Sequence, residues 1–358
     1  MQPEQIDPAL VDFAVLARWM DGRGLPPGPF EDVEPLTGGT QNTLVRFRRG
    51  GRGYVLRRGP AHLRARTNDV LRREARVLAA LEGTDVPAPR LLAACTDESV
   101  MGGAVFYLMT PVEGFNATVT LPRPHAGDAA VRHEMGLNAA RALAALGAVD
   151  HRAVGLAGFG RPEGFLERQV GRWMSELASY GALPGYPGPD IPGLDEVAAW
   201  LDAHRPATWR PGIMHGDYHL ANLMYSPHGP EVAAIVDWEM CTIGDPLLDL
   251  GWLLATWPSG EGDGDGDGAA LAGPLGAAGG LPAAGELVDA YAGRPDAVAG
   301  RELSAIPWYA VLACFKLGIV LEGTHARACA GQAPRRTGDL LHGLTLGFFR
   351  RAQAIIAS

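Results

Sequence analysis

Two stretches of the chain gather residue types that can do chemistry: Ile213-Met-His-Gly-Asp-Tyr-His-Leu-Ala-Asn-Leu-Met224 and Val232-Ala-Ala-Ile-Val-Asp-Trp-Glu239. Asp217 precedes Asn222 by five residues, and Asp237 closes a β-prone apolar run. Phosphoryl transfer from a nucleotide asks little covalent work of a protein. It needs a carboxylate to orient the attacking hydroxyl and take its proton, and oxygen ligands to hold magnesium on the phosphates. Asp217 suits the first task. A hard cation takes carboxylate and amide oxygens, and Asp237 and Asn222 supply one of each. Singly, an Asp near a turn is a cap and an Asn is turn chemistry; the order and spacing of all three carry the functional reading. His215 and His219, four apart, would suit zinc on a helix, but Gly216 stands where the glutamate of HExxH belongs.

The elements that must position these residues are legible in part. Asp7-Pro8 followed by Leu10, Val11, Phe13, Leu16 and Met20 predicts a capped amphipathic helix. Segments 43–47 and 54–57, joined by Arg49-Gly-Gly-Arg-Gly53, predict a β-hairpin. Val70, Leu71, Ala75, Leu78 and Leu81 recur at helical spacing over 68–81 and place Glu74 beside the apolar stripe. A strand over 105–109 ends at Thr110-Pro111, where the boundary between segments 1–109 and 110–358 is drawn. Further helices are expected over 128–146, 164–180, 194–204 and 306–329, and another after Asp245-Pro246, with Asp249 bracing the stretch around Asp217. The Gly-, Ala- and Asp-rich run 258–282 reads as a mobile loop; its Asp263, Asp265 and Asp267 imitate a calcium loop whose twelfth position is Pro274 instead of glutamate.

The segments HGDYHLAN and IVDWE, with Tyr54-Val-Leu-Arg-Arg58, Val86-Pro-Ala-Pro89 and Gly244-Asp-Pro-Leu-Leu-Asp249, resemble the aminoglycoside phosphotransferase-like kinases, and in particular the phosphotransferase domains related to those fused to acyl-CoA dehydrogenases. The resemblance implies an α+β, two-lobed protein-kinase-like fold, with a small N-terminal β-sheet lobe, a larger helical C-terminal lobe and ATP between them. It implies Asp217 as catalytic base, Asn222 and Asp237 as Mg2+ ligands and His215 as a structural member of the loop; His219 takes no role from it. Relatives grip the nucleotide phosphates with a strand lysine paired to a helical glutamate, but the chain has one lysine, Lys316, far from that strand. Arg57 is the expected replacement, fixed by Glu74, with Arg58 on the other strand face as the alternative. Gly38, Gly39 and Thr40 would bring backbone amides to the phosphates, and Thr110 and Val112 would meet adenine, Val112 as donor because Pro111 has no N–H. Trp308, Tyr309, Phe315 and Glu322 read as core or as the wall of an acceptor pocket.

The expected reaction moves the γ-phosphoryl group of ATP to a hydroxyl of a small molecule, with a hydroxyacyl-CoA as one acceptor. An aminoglycoside or other small-metabolite kinase, a catalytically silent ATP-binding regulator and a protein kinase are the other readings. With 358 residues, 47% hydrophobic and 20% charged, the chain has the balance of a globular enzyme of two lobes. Its start lacks a signal-peptide pattern and no run reads as long enough to span a membrane, so a soluble, cytoplasmic protein without a membrane partner is expected. A net charge of −9 argues against nucleic acid as partner. Charge is unevenly spread: 46–76 holds eleven arginines against Asp69 and Glu74, either a solvated face or a seat for an anion. Cys95, Cys241, Cys314 and Cys329, far apart, read as buried thiols.

Overall fold

The computed structural model describes residues 11–36, 42–60, 62–258 and 267–358. The chain divides into two compact units: 1–113 with 233–239, and 114–232 with 240–358. The boundary anticipated at 109/110 falls at 113/114, and the segment carrying Asp237 groups with the first unit.

In the first unit, helix α1 (Phe13–Gly22) begins at Asp12, whose carboxylate accepts from the amides of Ala14 and Val15 at 2.9 Å each. The cap is therefore Asp12; the anticipated Asp7-Pro8 start lies outside the described residues. Strands β1 (Phe30–Leu36), β2 (Thr43–Arg49) and β3 (Arg52–Arg58) follow, then α2 (Thr67–Leu81), β4 (Leu91–Cys95) and β5 (Phe106–Met109). They form one antiparallel sheet in the order β1-β2-β3-β5-β4. The hairpin turn is tighter than its five-residue sequence signal: Gly50 and Gly51 sit at φ +55° and +74°, and Arg49 already faces Arg52. Two successive positive φ values match the twist of the flanking strands and favour glycine.

Strand alternation sorts β3. Tyr54 and Leu56 join Leu16, Met20, Val45, Phe47, Phe106 and Leu108 in one core cluster. Arg57 leaves on the other face, opposite Tyr107, and meets α2. On α2 the buried positions are Leu71, Glu74, Ala75, Val77, Leu78 and Leu81, which places the single carboxylate in the apolar stripe.

The second unit is mostly helical: β6 (Phe115–Asn116), α3 (Arg123–Gly127), α4 (Ala129–Ala148), α5 (Gln169–Ser179), α6 (Leu194–Ala203), β7 (Gly212–Met214) and β8 (Leu223–Tyr225) come first. Strand β9 (Val232–Ile235) crosses into the first unit; then come β10 (Thr242–Gly244), α7 (Leu247–Thr256), α8 (Asp267–Ala278), α9 (Ala284–Ala292), α10 (Pro295–Val298), α11 (Ile306–Cys329) and α12 (Arg335–Ala357). Asp128 caps α4 through the amides of Ala130 and Val131.

Three expectations are corrected here. The run 258–282 is not all loop: 267–278 is helical on either side of Gly273, with Ala272 and Leu275 buried and the Leu275 amide bonded to Ala117 O at 3.2 Å. Segment 303–329 is, by length and composition, apolar enough to cross a membrane, contrary to the sequence reading. Its apolar surface has a destination within the unit, however, since α11 packs against α7 and α12 and is largely buried there, with Trp308, Tyr309 and Phe315 as core residues. Cys329 is half-buried, unlike the other three cysteines.

Candidate functional site

In the first unit, β3 and α2 bring Arg57 and Glu74 together. Arg57 Nε donates to Glu74 Oε2 at 2.8 Å and Nη2 to Glu74 Oε1 at 2.7 Å, a fork-on-fork pair. Tyr107 Oη donates to Glu74 Oε2 at 2.9 Å, so the carboxylate is oriented from two strands. Arg57 Nη2 also donates to Asp237 Oδ1 at 2.9 Å, which ties the strand cation to the candidate metal ligand. Burial works against the guanidinium's charge, but Glu74, Tyr107 and Asp237 together raise its pKa above the ordinary value. Burial raises that of Glu74, opposed by Arg57 and Tyr107.

Asp237 is held at φ +65°, a left-handed backbone rarely taken by a residue other than glycine, and such strain gathers at working sites. Donor oxygens of Glu74, Asp237 and Glu239 lie within 4.8 Å of one another. This all-oxygen set fits a hard divalent cation: Asp237 and Glu239 would hold it, Glu74 being committed to Arg57.

In the second unit, β7 and β8 flank the loop carrying Asp217. Asn222 Nδ2 donates to the Asp217 backbone oxygen at 2.9 Å and to its Oδ2 at 3.0 Å, leaving Asn222 Oδ1 as the oxygen a cation would use. Asp249 on α7 accepts from the amides of His215 at 2.6 Å and Gly216 at 2.9 Å, the bracing expected of it. Gly216 sits at φ +87°, and a Cβ there would lie 2.5 Å from Met240 O. Tyr218 Oη, bonded to Ala139 O at 2.7 Å, fixes the loop to α4. Burial raises the pKa of Asp217, but the His219 hydrogen bond and the nearby His219, His215 and Lys316 outweigh it and bring it down to about 2. Asp217 is thus a carboxylate throughout the neutral range, the form in which it can accept a hydrogen bond from a hydroxyl.

Residues 32–287 match the phosphotransferase enzyme family. The chain belongs to that family. Acyl-CoA dehydrogenase family member 11 of Gallus gallus is 30% identical to it over 89% of the chain and 39% of its own length. Member 10 of Mus musculus is 29% identical over 87% of the chain and 28% of its own length, so the chain spans about a third of these relatives. A Ralstonia eutropha protein assigned to the aminoglycoside phosphotransferases superposes with a TM-score of 0.76 at 30% identity, over 96% of this chain and 98% of its own. An aminoglycoside phosphotransferase mutant crystallised with ADP and hygromycin B shares the fold alone, at 15% identity and a TM-score of 0.55, over 93% of this chain and 97% of its own. The fold of the chain is kinase-like.

Several sequence-predicted residues lie elsewhere than the two sets above. Gly38, Gly39 and Thr40 fall outside the described residues. The Thr110 amide donates to Arg90 O at 2.9 Å and its Oγ1 accepts from the Arg90 amide at 3.0 Å, so its amide and hydroxyl are committed to neighbouring backbone. Arg58, on the core face of β3, is buried with Nε and Nη1 unpartnered among the described residues.

The sequence reading missed three participants. His219 Nδ1 accepts from the Ala221 amide at 3.2 Å, which leaves the proton on Nε2, 3.3 Å from Asp217 Oδ1. Glu239 joins the acidic set, a signal visible only as the second acid of IVDWE. Lys316 Nζ donates to Gly216 O at 3.2 Å and lies over the rings of Trp252 at 4.1 Å and Trp173 at 5.5 Å. Burial lowers its pKa, opposed by Asp249 and Asp217, to about 8. A lone lysine in a long apolar helix was the available signal.

Proposed function

We propose that the chain is an ATP-dependent kinase that transfers the γ-phosphoryl group to a hydroxyl of a small molecule, with a hydroxyacyl-CoA as the favoured acceptor. The observation that carries the reading is the Asp217–Asn222 pair on a loop braced by Asp249. In the proposed step the substrate oxygen bonds to the γ-phosphorus and the bond to the β,γ-bridging oxygen breaks. The hydroxyl proton passes to Asp217, and ADP leaves. Asp217 aligns the hydroxyl, and His219 fixes Asp217 through Nε2–H. Arg57, oriented by Glu74, supplies the phosphate-facing charge that relatives take from lysine, and a guanidinium is chemically able to do so. Magnesium, when bound through Asn222, Asp237 and Glu239, would supply charge neutralisation on the phosphates.

Likeness to the acyl-CoA dehydrogenase family members supports the acceptor class. The arginine-rich segment supports it less, because Arg46, Arg49, Arg57 and Arg72 are paired with Glu34, Asp21, Glu74 and Glu98. ADP release with Mg2+ should be followed against hydroxyacyl-CoA esters, aminoglycosides and simple amino alcohols. Turnover on the CoA esters alone bears out the acceptor; turnover on aminoglycosides alone contradicts it. Mg2+-dependent ATP binding with no turnover on any acceptor makes the chain a regulator.

A further inference from the structure

At the joined ends of α11 and α12, a second cluster has no part in the chemistry above. Glu322, His325 and His342 each offer a donor atom within 4.8 Å of the others; Glu322 and His325 are buried and His342 is half-buried. Glu322 Oε2 accepts from His342 Nδ1 at 2.7 Å and Oε1 from Tyr186 Oη at 2.8 Å. The His325 and His342 rings lie face to face, centroids 4.6 Å apart. His325 Nδ1 is buried without a hydrogen-bond partner among the described residues, its nearest acid oxygen being Asp339 Oδ1 at 3.8 Å. Cys329 Sγ lies 3.7 Å from His325 Nε2.

A core that needed only packing would not place a fully buried carboxylate against two imidazoles and leave one ring nitrogen unpaired, since an unsatisfied buried polar atom costs about 1–3 kcal/mol. We propose that Glu322, His325 and His342 form a binding site for a transition-metal ion of the zinc class, a clamp between α11 and α12 independent of the magnesium chemistry. Two imidazole nitrogens and a carboxylate are a borderline donor set that suits Zn2+ and does not suit Mg2+. The Glu322-x-x-His325 spacing puts both donors on one helix face, and α12 brings the third. Tyr186 orients the carboxylate from outside the ligand set. The ion takes the place of the hydrogen bond between His342 Nδ1 and Glu322 Oε2, and the neutral ring then carries its one proton on Nε2. The inference does not rest on the kinase reading.

The test uses the full chain, stripped of metal with a chelator and titrated with Zn2+ against a chromophoric competitor. The expected result is one Zn2+ per chain lost in His342→Gln and in His325→Gln, each at least about 100-fold weaker, beyond what loss of a mere outer partner costs. Asp237→Asn should leave this binding unchanged. Unaltered far-UV dichroism of the metal-free variants separates ligand loss from misfolding, and Co2+ bound to the wild-type chain should give the intense absorption of a four- or five-coordinate site. Absence of stoichiometric Zn2+, equal binding by the histidine variants, or loss on Asp237→Asn alone would overturn the proposal.

Discussion

At the scale of single residues, the buried cations Arg57 and Lys316 each carry a test. Arg57 meets Glu74 with two nitrogens, so Arg57→Ala leaves a buried carboxylate without its countercharge and should cost roughly 3–5 kcal/mol, measurable by denaturant unfolding. Arg57→Lys keeps the charge but not the fork, and should recover part of the stability. Lys316 makes a pH-dependent prediction. Its folded pKa of about 8 lies below the ordinary 10.5, so between these values the unfolded chain holds a proton that the folded one has shed, and stability rises with pH across that window. If the charged form holds Gly216 and Asp217 in place, kcat/KM instead falls as pH passes about 8. Lys316→Met should remove the alkaline limb and flatten the stability gain; a limb that persists in the variant assigns it elsewhere.

At the scale of elements, the loop between β7 and β8 is fixed by backbone contacts. Gly216→Ala must force a Cβ against Met240 O in a conformation that L side chains avoid. Displacing Asp217 by even about 1 Å should cost on the order of 100-fold in kcat, with ATP affinity nearly unchanged. Asp249→Ala removes the acceptor of two buried amides and should lower stability by about 1–3 kcal/mol for each group left unpaired; thermal unfolding checks it. The element level is also where the sequence was most informative and least complete. Helices α2 and α11 were legible from apolar spacing, and the hairpin from its glycines. Strand β1 was not: it is an edge strand with Glu31, Asp32, Glu34 and Pro35 mostly outward, so no alternation marks it. The short β4 follows a proline-rich turn, and α8 was hidden by composition, because its burial depends on partners such as Ala117 that are distant in sequence.

At the scale of the whole molecule, the family and the kinase-like fold were legible because phosphoryl transfer restricts residue types and spacing: Asp217, Asn222 and Asp237 stand in two short motifs. What was not legible is set by tertiary contact. The Arg57–Glu74 pair was anticipated with Arg58 as the alternative, and the structure selects Arg57; the contact of Lys316 with Gly216 O, by contrast, needs α11 packed over the loop. The acceptor belongs to this second class, since specificity lives in side chains grafted on a shared fold. The central claim, that Asp217 serves the chemical step, is tested most directly by comparing wild type and Asp217→Asn in Mg2+-dependent ATP binding and in phosphoryl transfer to the best acceptor. The account predicts a loss of about 10²- to 10⁴-fold in kcat with ATP affinity unchanged; a variant that turns over like wild type, or that loses ATP binding in step with turnover, would contradict it.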